Sequence, residues 1–181
     1  MHESGHPDER GVVVVGVDGS AGARDALRWA AAEARLREAR LRVVHASASG
    51  FFGSSGPGYG YPYIGGSAET APRAGFSDLR RAAEELLEDA IAGVETDVDG
   101  LQIERRVVAG DPADVLVRAV SERDLLVVGS RGHGGFAGLL LGSVSQRCAH
   151  HAPCPVVIVR SKKPAATGPE PTAAAGAESA A

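Results

Sequence analysis

The chain has 181 residues, of which 44% are hydrophobic and 23% charged, with a formal net charge of −4. That length and apolar share suit one domain of ordinary size with some excess, so a wholly disordered chain and two full domains are excluded. The acidic balance and the lack of a dense basic run argue against nucleic-acid binding, and apolar runs such as 12–17 and 139–141 are far short of the roughly 20 residues of a membrane span.

The segment 1–10 is polar and is expected to be a disordered N-terminus without the apolar stretch of a secretory signal. Val12–Val17 is a continuous run of mostly β-branched residues ending at Asp18-Gly19-Ser20, the pattern of a strand buried on both faces. Ser20 is placed to cap a helix that carries Leu27, Ala30, Ala31 and Ala34 on one face. The arginines at 35, 37, 40 and 42 are interleaved with Glu33 and Glu38, which reads as a solvated helix end. Trp29, alone on this Ala-rich helix, reads as a packing residue, and His45, inside the second strand Leu41–Ala46, as a core or edge residue.

The segment 47–75 is crowded with Gly, Ser, Pro and aromatics and is longer than most structureless loops, so it is expected to be functional, disordered or both. Five of the chain's eight aromatic residues lie between Gly50 and Gly66, including Tyr59, Tyr61 and Tyr63. The interior must therefore be built from Val, Leu, Ile and Ala, which suits a thin layered α/β structure. Ser77 can cap a long helix with Leu79, Ala83, Leu86, Ala90 and Val94 at three- and four-residue spacing, and Leu101–Val108 alternates as a strand. Asp111-Pro112-Ala113-Asp114 is a strong helix start, followed by an apolar stripe of Val115, Leu116, Ala119 and Val120. Leu125–Val128 is a short apolar strand ending at Gly129, Ser143 caps the last helix, and Pro155–Val159 closes the series. From 162 onward the composition is that of a disordered tail. Five strands separated by helices predict a doubly wound α/β fold with a parallel sheet, in which ligands bind beyond the carboxyl ends of the strands.

The loops after those strand ends carry the chemistry. Gly129-Ser130-Arg131-Gly132-His133-Gly134-Gly135 leads on to Gly138 and then to Gly142-Ser143 at a helix start. Glycines let the backbone approach a ligand, the helix N-terminus favours an anion, Ser143 and Ser145 offer hydroxyls, and Arg131 or His133 offers charge. The loop contains no lysine, so it is not a Walker loop. Gly132–Ala137 matches G-x-G-x-x-A but does not join strand directly to helix, and the next strand ends at Arg160 rather than at an acid, so the dinucleotide reading fails.

The spacing Gly129-x2-Gly132-x9-Gly142-Ser143, with Val15-Gly16-Val17-Asp18-Gly19-Ser20, Val43-Val44-His45-Ala46, Ala109-Gly110-Asp111-Pro112 and Ala152-Pro153-Cys154-Pro155-Val156-Val157-Ile158-Val159, resembles the universal stress protein family in its ATP-binding, single-domain form. The resemblance covers 11–161 and implies a five-stranded parallel, Rossmann-like sheet of order 3-2-1-4-5. It implies ATP, alone or with Mg2+, as the ligand. Asp18 would lie near the ribose, Gly16 and Gly110 would belong to the same nucleotide-binding set, and Ala46 would lie against the adenine. Gly129, Arg131, Gly132 and His133 would wrap the ribose and phosphates, and Gly142, Ser143, Val144 and Ser145 would bind phosphates at the helix start. It further implies a homodimer through 155–159. The 47–75 insertion departs from the family pattern and lies on the ligand side.

Other readings are weighed against this one. Asp18, His133 and Ser143 offer triad chemistry, but nucleotide binding explains each of them, and Asp18-Gly19-Ser20-Ala21-Gly22 lacks the first glycine of a nucleophile elbow. Cys148, His150, His151 and Cys154 match no zinc spacing, and two cysteines make no disulfide framework. The expectation is a cytoplasmic, ATP-dependent regulator that is not an enzyme, with an unknown protein partner. A slow ATPase or phosphotransferase, and an interaction module using the 50–75 loop, are the alternatives. The first lacks a Walker lysine and an acidic pair for magnesium.

Overall fold

The structure, a computed structural model, describes residues 11–47, 76–133 and 140–161. The expected disordered N-terminus, the tail from 162 and the insertion beyond Ser47 lie outside the described residues, as do Gly134, Gly135, Phe136 and Gly138 of the glycine loop.

The elements run β1 (Val13–Val17), α1 (Ala21–Leu36), β2 (Leu41–Ser47), α2 (Phe76–Ala92), α3 (Glu95–Val98), β3 (Ile103–Ala109), α4 (Pro112–Arg118), β4 (Leu125–Gly129), α5 (Ser143–His151) and β5 (Val156–Val159). All strand pairs are parallel, and the order across the sheet is β3-β2-β1-β4-β5. The fold is thus the doubly wound α/β arrangement expected, with strand order reversing at β1.

The β-branched run 12–17 divides between two cores because side chains alternate across a strand. Val13, Val15 and Val17 pack with Val43, Leu125 and Val127 under α1 and α2. Val12 and Val14 pack with Val44, Leu126 and Val128 under α4 and Cys148 of α5. The central strand is small and apolar on both faces, so the sheet accepts a helix on each. On α1 the inner stripe is Ala23, Ala26, Leu27, Ala30, Ala31 and Ala34, and alanine there lets the helix lie close to the strands. Gly16 serves the same end on the other face, where a Cβ would come within 2.7 Å of Leu116 Cδ1.

Local signals place several boundaries. Ser20 caps α1, its hydroxyl accepting from Ala23 N at 3.1 Å. Asp111 caps α4 by accepting from Ala113 N and Asp114 N, with Pro112 at the first helical position. Arg147 bonds to both Asp111 and Asp114 and ties α5 to α4.

Five expectations need correction. Ser77 lies inside α2, which already includes Phe76, so it is not the cap. The buried face of that helix is Ala83, Leu87, Ala90 and Ile91, with Val94 just beyond, because the stripe drifts by one residue; Leu79 and Leu86 are left partly outside. Ser143 is the first residue of α5, whose cap is Gly142. Trp29 is exposed on the outer face of α1 rather than packed in the core. Arg35 and Arg42 are not simply solvated: Arg35 donates to Asp97 O and Asp99 O, and Arg42 is engaged by Glu104.

Candidate functional site

In a doubly wound sheet the crevice opens where neighbouring crossovers leave on opposite faces, here between the carboxyl ends of β1 and β4. The loops leaving those strands meet there. Asp18 is the hinge between them: Oδ1 accepts from Ser20 N at 2.9 Å, and Oδ2 accepts from His133 N at 3.3 Å. One carboxylate thus fixes the turn into α1 and holds the loop after β4, across 115 positions of sequence.

Gly132 is forced by this contact, since a Cβ there would overlap Asp18 Oδ2. Gly129 is similarly constrained, because a Cβ would stand 2.9 Å from the carbonyl of Gly22 in the first turn of α1. Gly22 answers from the other side, its added Cβ meeting Arg131 O at 2.6 Å. The start of α1 and the loop after β4 therefore touch backbone to backbone.

Ser130 carries the far side of the loop. It is buried, its N–H donates to Val159 O at 2.7 Å, and its carbonyl accepts from Gly142 N at 2.7 Å and Ser145 Oγ at 3.1 Å. These bonds bring the start of α5 to the same crevice. The cap Gly142 supplies no side-chain acceptor, so among the described residues the first-turn N–H groups of Ser143, Val144 and Ser145 have no capping partner. Ser145 is buried and its hydroxyl already donates to backbone carbonyls, so only its N–H remains for a ligand. Gly142 differs from Gly129 and Gly132: among the described residues a Cβ would find nothing nearer than 3.6 Å.

The predicted residues fall into three groups. Asp18, Gly129, Arg131, Gly132 and His133 lie where the loops after β1 and β4 meet, and Gly142, Ser143, Val144 and Ser145 start α5 beside them, with the Val144 side chain packed on the α4–α5 core. Ala46 is half-buried near the end of β2, and Gly110 ends β3 with φ 146°, donating its N–H to Ser47 O. They stand one and two strands away from Asp18 along the same edge of the sheet. Gly16 lies deeper, under Leu116.

Triad geometry does not form among these groups. Asp18 receives the main-chain N–H of His133, not its imidazole. Cys148 is buried in the α4–α5 core, and the loss of solvation there pushes its thiol up to about 11, away from the thiolate a metal or an electrophile needs. Among the described residues no group of three His, Cys, Asp or Glu side chains is placed to hold a metal ion.

Two contributors were not singled out from sequence. Ser130 reads as one more polar loop residue until its burial is seen. Gly22 reads as a weak point in a helix, although a glycine in a first turn is the one signal that another backbone passes close by. His45 is buried, with Nδ1 2.9 Å from Val17 O, so it locks β2 to β1 just below Asp18.

A family model described as the universal stress protein family matches residues 9–160. A universal stress protein of Mycobacterium tuberculosis is 36% identical over 155 residues, which cover 86% of this chain and 46% of that protein. The chain spans about half the length of the curated relatives it matches. The structure of universal stress protein UspA from Lactobacillus plantarum shares the fold with a TM-score of 0.62 at 21% identity, over 83% of this chain and 98% of that one. A universal stress protein crystallised in complex with cAMP matches with a TM-score of 0.56 at 28% identity, over 83% of this chain and 97% of that one.

Proposed function

The chain belongs to the universal stress protein family, and from that premise we propose that it binds ATP in the β1–β4 crevice and acts as a nucleotide-dependent regulator. The observation that carries the proposal is the Asp18–His133 contact, which joins the two strand-end loops beside an uncapped helix start. Free N–H groups at a helix N-terminus are suited to phosphate oxygens, and the helix dipole adds to the attraction. In this reading Ser143, Val144 and Ser145 give N–H groups to the phosphates, and Arg131 and His133 flank them. Asp18 keeps lone pairs for the ribose hydroxyls, and Ala46, without a bulky side chain, leaves room for the adenine. The cAMP complex of a 28%-identical relative supports an adenine nucleotide as the ligand class.

Among the described residues the crevice has one carboxylate, Asp18, and it is already hydrogen-bonded on both oxygens. That does not fit a resident Mg2+, so magnesium would arrive coordinated by the nucleotide's phosphates and water. Among the described residues the crevice holds no acidic pair and no second carboxylate to act as a base, so ligand-dependent shape rather than turnover is the proposed output. One 11–161 domain would form a homodimer through β5, an edge strand of Val, Val, Ile and Val that is only half-buried. The two free cysteines suit a reducing, cytoplasmic setting, and no described helix is long and apolar enough to cross a membrane.

Thermal unfolding with and without ATP tests the proposal. A ligand bound only by the folded chain adds about 2.7 kcal/mol at a hundredfold excess over Kd. No shift with ATP, in a chain that melts cooperatively, contradicts it. Mass analysis of any nucleotide that co-purifies would identify the ligand.

A further inference from the structure

At the opposite end of the sheet, the amino ends of β1, β2 and β4 and the end of α4 line an open groove of about 450 Å3. Five arginines line it: Arg40 before β2, Arg42 within β2, Arg106 from β3, Arg118 in the last turn of α4 and Arg123 in the turn before β4. The whole chain is acidic, and no stretch of its sequence is densely basic. The cluster exists only because parallel strands place their amino ends together.

Part of this charge has a structural role. Arg42 donates to Glu104 at 2.7 Å and to Ala119 O at 2.9 Å, satisfying a carbonyl at the end of α4. Arg106 shares Glu104 at 2.6 Å. Asp124, the carboxylate lining the groove, accepts from Val12 N, Ser121 N and Ser121 Oγ at 2.7–2.9 Å. Arg118 and Arg123 are different. Both are exposed, and among the described residues neither side chain makes an ion pair or hydrogen bond. A cation in the last turn of a helix is favoured by the dipole, which accounts for Arg118 but not for Arg123.

We propose that this groove is a second anion site, binding the phosphate chain of a small polyphosphorylated ligand. Guanidinium groups meet phosphate oxygens in a fixed fork, and several of them converging in a cleft concentrate polyanions. Arg42, held by Glu104 and Ala119, forms a fixed floor, and Arg118 and Arg123 provide the free donors. The groove is open and mostly polar, so a ligand would lie along it with its phosphates against the arginines rather than be enclosed. The site is independent of the crevice and stands whether or not ATP binds there.

The test is titration of the full chain with inorganic tripolyphosphate at low ionic strength, followed by calorimetry and by backbone amide shifts. The expected result is binding that weakens as salt is raised, with shifts at 118–124. In the Arg118→Ser/Arg123→Ser variant it should weaken at least tenfold, while Arg81→Ser, which removes an exposed arginine of α2 outside the groove, leaves it unchanged. Thermal melting of the double variant checks that these exposed changes leave the fold intact, and the wild-type shifts locate the site without any variant. Absence of binding, binding unaffected by the double change, or shifts confined to 129–145 would overturn the proposal. A single-stranded oligonucleotide that bound the groove more tightly than tripolyphosphate would also overturn it, in favour of a nucleic-acid surface.

Discussion

Asp18 illustrates how much one side chain can settle. It ends β1, accepts the Ser20 N–H that starts α1, and accepts the His133 N–H that draws in the loop after β4. An amide keeps one acceptor oxygen and replaces the other with a donor, so Asp18→Asn must lose one of the two bonds. We expect a loss of about 1–2 kcal/mol in urea unfolding, together with a smaller stabilisation by ATP. Gly132→Ala should displace the same loop by overpacking it against Asp18, at a cost of about 1–3 kcal/mol. Asp18 and Gly132 were both legible in the sequence, as a strand-end acid and a loop glycine. Their mutual contact was not, because nothing local relates positions so far apart. Ser143 shows the converse: serine is a good helix cap, yet the buried bonds from Ser130 to Gly142 and Ser145 start α5 one residue earlier.

At the scale of elements, sequence reasoning succeeded where burial is simple. The run 12–17 is buried on both faces, the α1 stripe is as its spacing predicts, and Ser20 and Asp111 cap their helices through measurable bonds. Leu27 is fully buried between α1 and the sheet, so Leu27→Ala should cost about 2–5 kcal/mol in denaturant unfolding. On α2 the reading was half right: Ala83, Ala90 and Val94 are buried as expected, but the inner leucine and isoleucine sit one residue later than Leu86 and Ala90. Leu87 and Ile91 face the sheet, and Leu79 is left exposed. Trp29 failed for a steric reason: a helix laid on a sheet through alanines has no space beneath it for an indole. The N-terminus of α5 supports a sharper prediction. Among the described residues a Cβ at Gly142 meets no atom closer than 3.6 Å and its φ of −80° suits any residue, so Gly142→Ala should leave stability within about 1 kcal/mol of wild type. If phosphates rest on that helix start, the same methyl group should still weaken ATP.

For the whole molecule, the alternation of strands and helices was enough to predict a doubly wound sheet, because parallel strands need crossovers and crossovers have one hand. The arginine groove was invisible by the same logic, since it is made by topology from residues spread between 40 and 123. Asp124, which lines it, and Glu104, which pairs with its Arg42 and Arg106, contribute to the acid behaviour. Burial alone would raise Glu104 and Asp124, but hydrogen bonds and positive charge outweigh it: Arg42 and Arg106 act on Glu104, and Val12 N, Ser121 and Arg42 act on Asp124. Both carboxyls are therefore held below their ordinary values. A lowered folded-state pKa contributes stability that is complete above the unfolded value and is lost as pH falls through the folded one. Stability should thus decline as pH drops below the ordinary carboxylate range near 4, and Asp124→Asn should flatten part of that decline in acid titrations of the melting temperature. The central claim is that a nucleotide sits where the loops after β1 and β4 meet the start of α5. It is tested most directly by calorimetric titration of ATP into the wild-type chain and into Gly142→Ala. The account predicts saturable binding to the wild type and at least tenfold weaker binding to an equally stable variant. No binding to the wild type, or equal affinity for both, would contradict it.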